Sequence, residues 1–194
     1  MTLNSSATKM AEYIMKKANI PQREKGVFVY GCELTLSTAA SILSIIILSI
    51  ALNAVYSSFV FLLVFMGIRF FAGGYHAKTY FHCFLLTNFV YILSFLSSKH
   101  ILVLMSWPVK AMLLFGSTIV ILVLAPIRNK KHPLTEKTYR KNAIIARIIT
   151  ALILFIAVLI LLQNALSSAL AMIMVTLMAI AIMMIIPKFQ EGVE

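Results

Sequence analysis

The segment Arg69–Leu86, RFFAGGYHAKTYFHCFLL, sets an arginine, a lysine, two histidines, a cysteine and a Gly-Gly pair in an otherwise apolar chain. A thiol with an imidazole beside it is the minimum apparatus for nucleophilic catalysis by cysteine. His76 lies seven residues before Cys83. Within one unbroken helix the two would share a face but stand roughly 10 Å apart along the axis, too far for a hydrogen bond. If Gly73 and Gly74 let the chain fold back onto the start of a helix, imidazole and thiol can meet. Thr79 suits the N-cap of that helix. Cys83 then falls in about the first turn, where free amides and the positive end of the dipole favour the thiolate. The competing reading is a small buried hydrophobe packed between helices. His82 also neighbours the thiol, but an adjacent helical residue points about 100° away and is the poorer base. The glycines offer amide groups to an oxyanion, or simply a flexible loop.

Neither a metal site nor a cofactor is expected. His76, His82 and Cys83 want a fourth ligand of recognisable spacing, and His100 is expected on the opposite side of the membrane. A third member to orient the histidine would be acidic. The chain has no aspartate, and of its six glutamates only Glu33 lies at the edge of an apolar run. Glu33 can orient His76 or pair with Arg69, and both roles stay open. An ionisable group at such a place is a functional candidate.

These residues must be held by apolar helices. The 194 residues are 61% hydrophobic and 12% charged, against about 25% charged in soluble domains. No charged residue occurs from Leu34 to Ile68, and only Arg147 from Asn142 to Pro187. Runs of about 20 apolar residues read as membrane spans. The expected fold is an all-α integral membrane protein in one polytopic domain, residues 1–194. About six spans are placed near 33–52, 54–71, 80–97, 109–125, 143–162 and 165–187. "ILVLMSWP" is too short to span. A short amphipathic helix at 7–19 precedes them, with Met10, Tyr13 and Ile14 on its apolar side and Pro21 ending it; it suits the membrane surface. The first residues lack the apolar core and cleavage site of a signal peptide. Two cysteines make no disulfide framework.

The net charge of +11 is explained by topology, and a nucleic-acid partner is not expected. Fifteen of the seventeen basic residues fall in the N-terminal segment, the 69–78 segment, the 127–142 loop with Arg147, and the tail; Lys99 and Lys110 fall on the other side. The positive-inside rule then puts both termini and the 127–142 loop in the cytoplasm. A transporter would carry ionisable groups deep in several spans, and Arg147 is the nearest case. A non-catalytic membrane scaffold is the third function class.

FAGGYHAKTYFHC resembles the active-site segment of the accessory gene regulator B (AgrB) family of bacterial membrane endopeptidases. YGCE at 30–33 and LAPIRNKKHPL at 124–134 are similar to family segments in the same order, so the resemblance covers nearly the whole chain. It implies a multi-pass protein of the bacterial cell membrane that processes a short AgrD-like precursor peptide in quorum sensing. Cys83 would be the nucleophile and His76 the base. The acyl-enzyme thioester would pass to a cysteine or serine within the precursor, giving a thiolactone or lactone. Glu33, Gly73, Gly74 and Arg69 are supporting candidates on physical grounds. Arg128, Lys130 and Lys131 are candidates for engaging an acidic part of the precursor, with topology as the competing explanation of that loop. The bilayer is the remaining partner, and a homodimer is compatible with the resemblance. Cys32, within YGCE, is not expected to be catalytic.

Overall fold

A computed structural model describes residues 3–74, 79–127, 135–162 and 167–191. The elements are helices: α1 (Leu3–Lys17), α2 (Lys25–Ala51, entered by a 3-10 turn at Gln22–Glu24), α3 (Val55–Ala72), α4 (Tyr80–Leu96), α5 (Trp107–Leu124), α6 (Glu136–Leu162) and α7 (Ser168–Glu191). Six are long and apolar enough to cross a membrane: Gln22–Ala51, Val55–Ala72, Tyr80–Ile101, Trp107–Leu124, Glu136–Leu162 and Ser168–Pro187. The all-α, six-span expectation with a leading helix agrees with this.

The boundaries differ where charge was taken as an end. α2 begins at Lys25 and α6 at Glu136. A charged residue halts a membrane crossing but not backbone hydrogen bonding, so the helices run on past the apolar stretch. α4 likewise passes "SSKH" as a π-helical turn, Ser97–Ile101, followed by the short turn Leu102–Leu104. α7 continues through Pro187 to Glu191. Two asparagines end helices where the sequence offers no glycine. Asn19 (φ 52°) follows α1 and Asn53 (φ 50°) follows α2. Each helix closes with the amide three residues past its end on a carbonyl five back, Ile20 to Met15 at 3.0 Å and Ala54 to Ser49 at 2.8 Å, a Schellman closure that needs a left-handed residue.

The chain divides into two compact units. One holds the described residues of 1–48 and 76–89: α1, most of α2 and the first half of α4. α1 was expected to carry Met10, Tyr13 and Ile14 on an apolar side suited to the membrane surface, and the exposure of Met10 and Tyr13 on the protein is compatible with that. Its buried stripe is Ala7, Ala11 and Met15, while Met10 and Tyr13 are 41% and 68% exposed. Ala7 and Ala11 meet Cys32 in a small core flanked by Ile14, Phe28, Val29 and Leu36. Alanine lets helix backbones approach closely, which is what selects this face. The Lys25 ammonium donates to Glu12 at 2.7 Å. Deeper in the same unit, the Ser44 hydroxyl donates to Asn88 Oδ1 at 2.8 Å, tying α2 to α4.

The other unit holds the described residues of 49–75 and 90–194. α7 is its centre and packs against α3, α5 and α6. Two thirds of its span is buried (67%), against 22% for α6, although α6 is the more hydropathic, 3.0 against 2.8. Lipid is as apolar as leucine, so greasiness does not draw a helix inward; small and adaptable side chains do. The sequence of α7 is rich in alanine and methionine, and Ala169, Ala171, Met172, Met174, Met183 and Met184 are buried. Ser58 hydrogen-bonds Tyr91, whose ring packs edge-on against Phe61 at 5.3 Å.

Candidate functional site

Cys83 sits on the opening turn of α4. Its amide donates to the Thr79 carbonyl at 3.0 Å, and its side chain is half-buried. Thr79 caps the helix as its type and position predict: Thr79 Oγ1 accepts from the His82 amide at 3.2 Å and contacts His82 Nδ1 at 2.5 Å. His82 therefore closes back onto the cap, with its ring exposed and edge-on to Phe81. That is a structural employment for the second histidine. His76, Arg128, Lys130 and Lys131 lie outside the described residues.

Glu33 lies on the same unit as Cys83. Its carboxylate accepts from Asn4 Nδ2 of α1 at 2.6 Å, and the Tyr80 phenol of α4 lies near it. Tyr30 and Cys83 are close enough to act electrostatically on the same phenol. Four polar groups from two helices thus gather here: Tyr30 and Glu33 on α2, Tyr80 and Cys83 on α4. Each pair is spaced i, i+3, which puts its members on one helix face. Tyr80, Tyr30 and Asn4 were not among the residues singled out from sequence. The matching three-residue spacing in YGCE and YFHC was the available signal, and it becomes meaningful only once α2 and α4 lie side by side.

Cys32, one residue before Glu33, is 6% exposed within the alanine core. A thiol so enclosed packs as a hydrophobe.

Gly73, Gly74 and Arg69 belong to the other unit and form the end of α3. The Gly73 amide donates to the Arg69 carbonyl at 3.0 Å, closing the helix. Both glycines have positive φ, 69° and 127°, where a side chain is strained. A Cβ at Gly74 would stand 3.0 Å from an Arg69 guanidinium nitrogen and 3.5 Å from the Met183 carbonyl oxygen. Pro187 has no amide to offer that carbonyl. Arg69 also contacts Met183 Sδ at 3.7 Å and lies 5.5 Å from the Phe65 ring centroid. The glycine pair is thus a shaped turn, required by backbone conformation and crowding.

The entry to the basic loop is anchored on that turn. The Ile127 amide donates to the Ala72 carbonyl at 2.9 Å, and the Tyr139 hydroxyl donates to the Pro126 carbonyl at 3.1 Å. Arg147 Nε donates to the Leu122 carbonyl at 3.2 Å, satisfying one of the orphan acceptors at the C-terminal end of α5. The ionisable residue on which a transport pathway would have rested has a capping partner.

One family model, accessory gene regulator B (AgrB), matches residues 7–186, nearly the whole chain. No curated protein and no solved structure matches it.

Proposed function

The chain belongs to the accessory gene regulator B family, and from that premise we propose that it is a cysteine endopeptidase that cleaves and cyclises a signalling-peptide precursor at the membrane. Membership makes it a multi-pass membrane protein of quorum-sensing peptide processing, acting on an AgrD-like precursor. The observation that supports the finer reading is the position of Cys83: a half-buried thiol on the first turn of a helix that crosses the membrane. Cys83 attacks the scissile carbonyl and His76 takes the thiol proton and returns it to the departing amine. The C-terminal part of the precursor leaves and the N-terminal part stays on sulfur as a thioester. An internal cysteine or serine of the precursor then displaces Cys83, closing the ring. A thiolate is both a good nucleophile and a good leaving group, as this exchange requires. A site at the edge of the bilayer keeps water from the thioester while the internal thiol attacks. Glu33 and Arg69 act as supports. Arg128, Lys130 and Lys131 receive the acidic part of the precursor.

The test uses a precursor whose internal nucleophile is replaced by alanine. Intact-protein mass spectrometry should show the chain carrying the N-terminal part of the precursor, releasable by hydroxylamine and lost in Cys83→Ala. Linear product at the normal rate with no adduct would mean ordinary hydrolysis. If Cys83→Ala processed the precursor normally, the thiol would have no catalytic role.

A further inference from the structure

Lys110 stands in the first turn of α5, a helix long and apolar enough to cross from Trp107. The residue is buried, with 8% exposed. Among the described residues no hydrogen bond or ion pair reaches its ammonium. The nitrogen is not sealed, however, because no enclosed side-chain nitrogen there is left without a partner. The stem is packed and the charge faces an opening. The turn around it adds to the imbalance. Ser106, the N-cap, makes no side-chain cap bond, Pro108 has no amide, and the first turn carries no acidic residue. Uncapped amides and the positive end of the dipole favour an anion at this place, and the chain puts a cation there.

The chain supplies no counter-charge nearby. It has no acidic residue between Glu33 and Glu136. Among the described residues of this unit the carboxylates are Glu136, which opens α6, and Glu191, which ends α7. Successive crossings alternate, so both belong to the membrane face opposite the start of α5. The face of Lys110 carries Lys99 and His100 instead, both exposed, on the π-helical turn Ser97–Ile101. That turn packs against α7, as α5 does. Lys99 and Lys110 are also the two basic residues left on the side where the positive-inside rule disfavours them. Snorkelling accounts for a lysine that sends its nitrogen to water along an apolar stem. It gives no reason for an uncapped helix start with no acid and a buried cation in the same turn.

We propose that the first turn of α5 binds the phosphate of an anionic phospholipid headgroup, with the Lys110 ammonium as its main partner and the first-turn amides beside it. Helix starts take phosphate in this way, and basic recesses between spanning helices take anionic headgroups. The position selects a lipid as the source. α5 enters the apolar layer at Trp107, a residue type enriched at headgroup depth, and Met112 and Phe115 leave an exposed apolar side for acyl chains. The lipid site stands apart from the peptidase chemistry, which is expected at the other membrane face.

Trp107 is the one tryptophan of the chain and lies one turn before Lys110 on the same face, so its fluorescence reports on this turn. Full-length protein is placed in phosphatidylcholine nanodiscs that contain brominated phosphatidylglycerol or brominated phosphatidylcholine at equal mole fraction. Bromine quenches only at short range, so lipids gathered at the basic loop on the other face are silent. The anionic lipid should be enriched beside Trp107 about fivefold over the zwitterionic one, the worth of one lysine at headgroup height. Lys110→Met keeps the stem and removes the charge, and the two lipids should then quench alike. Lys110→Arg should keep the preference. Ser106→Asp leaves Lys110 in place and sets a carboxylate where the phosphate would lie, so it too should lower the preference. Equal quenching by the two lipids in the parent protein would overturn the site and leave a snorkelling lysine. A preference that survives in Lys110→Met, or in Ser106→Asp should Lys110→Met fail to fold, would overturn it as well. Inorganic phosphate at millimolar concentration separates the sources. The preference should withstand it, and its loss would make free phosphate the ligand and overturn the lipid.

Discussion

At the scale of single residues, the two histidines near Cys83 divide by employment. His82 is bound to its own helix cap through Thr79, and its ring is exposed. His82→Ala should therefore keep most of the cleavage activity, while His76→Ala should lose about 10²–10⁴-fold in rate, the usual worth of a general base. Single-turnover cleavage of the precursor measures both, and a dead His82→Ala with an active His76→Ala would reverse the assignment. The glycines divide in a similar way. Gly73 and Gly74 look alike in sequence and both have positive φ, but only at Gly74 would a Cβ come within 3.0 Å of another group. That group is the end of a flexible arginine, so the backbone conformation is the larger obstacle. Gly74→Ala should lower the folded yield, with Gly74→Val worse, read by detergent-solubilised thermal unfolding.

At the scale of elements, burial and hydropathy part company. Leu177 in α7 is fully buried, whereas Leu159 in α6 is 46% exposed and faces lipid. Leu177→Ala should cost about 2–5 kcal/mol through the cavity it leaves. Leu159→Ala leaves no cavity and exchanges one lipid contact for another, so it should cost well under half as much. Unfolding in mixed micelles compares them, and equal losses would remove α7 from the centre of its unit. The cap of α4 is a second case. Thr79→Ala removes the acceptor of the His82 amide and should cost about 1 kcal/mol, whereas Thr79→Ser should be tolerated. The hydropathic runs located all six spanning helices, because an uncharged run near the bilayer thickness has one stable form in lipid. Helix ends were less legible. Charge marks where a chain leaves the membrane, whereas caps such as Asn19 and Asn53 mark where the helix stops.

For the whole molecule, the expected orientation rests on the uneven placement of lysine and arginine, fifteen against two. We expect both termini and the 127–142 loop in the cytoplasm. With Cys32 and Cys83 replaced by alanine, a cysteine at Thr135 should react with a membrane-impermeant maleimide only after the cells are opened. Labelling of intact cells would invert the topology. The anchoring of Ile127 on Ala72 begins the basic loop at the end of the helix that leads into the Gly-Gly turn.

What the amino-acid order determined by itself is what depends on composition and local chemistry. Long uncharged runs allow only helices in lipid, Thr79 before YFHC allows a cap, and the Gly-Gly-Tyr-His spacing before Cys83 carries the family likeness. Tertiary structure decided which faces meet. Nothing in ATKMAEYIMKK says that α1 turns Ala7 and Ala11 inward and leaves Tyr13 out. Nothing in YGCE says that Glu33 is held by Asn4. Nothing in the hydropathy of α6 and α7 says which is central. The physical reason is common to all three. Apolar surface has no preference between lipid and a neighbouring helix, so the choice falls to close approach and to a few hydrogen bonds between residues far apart in the chain.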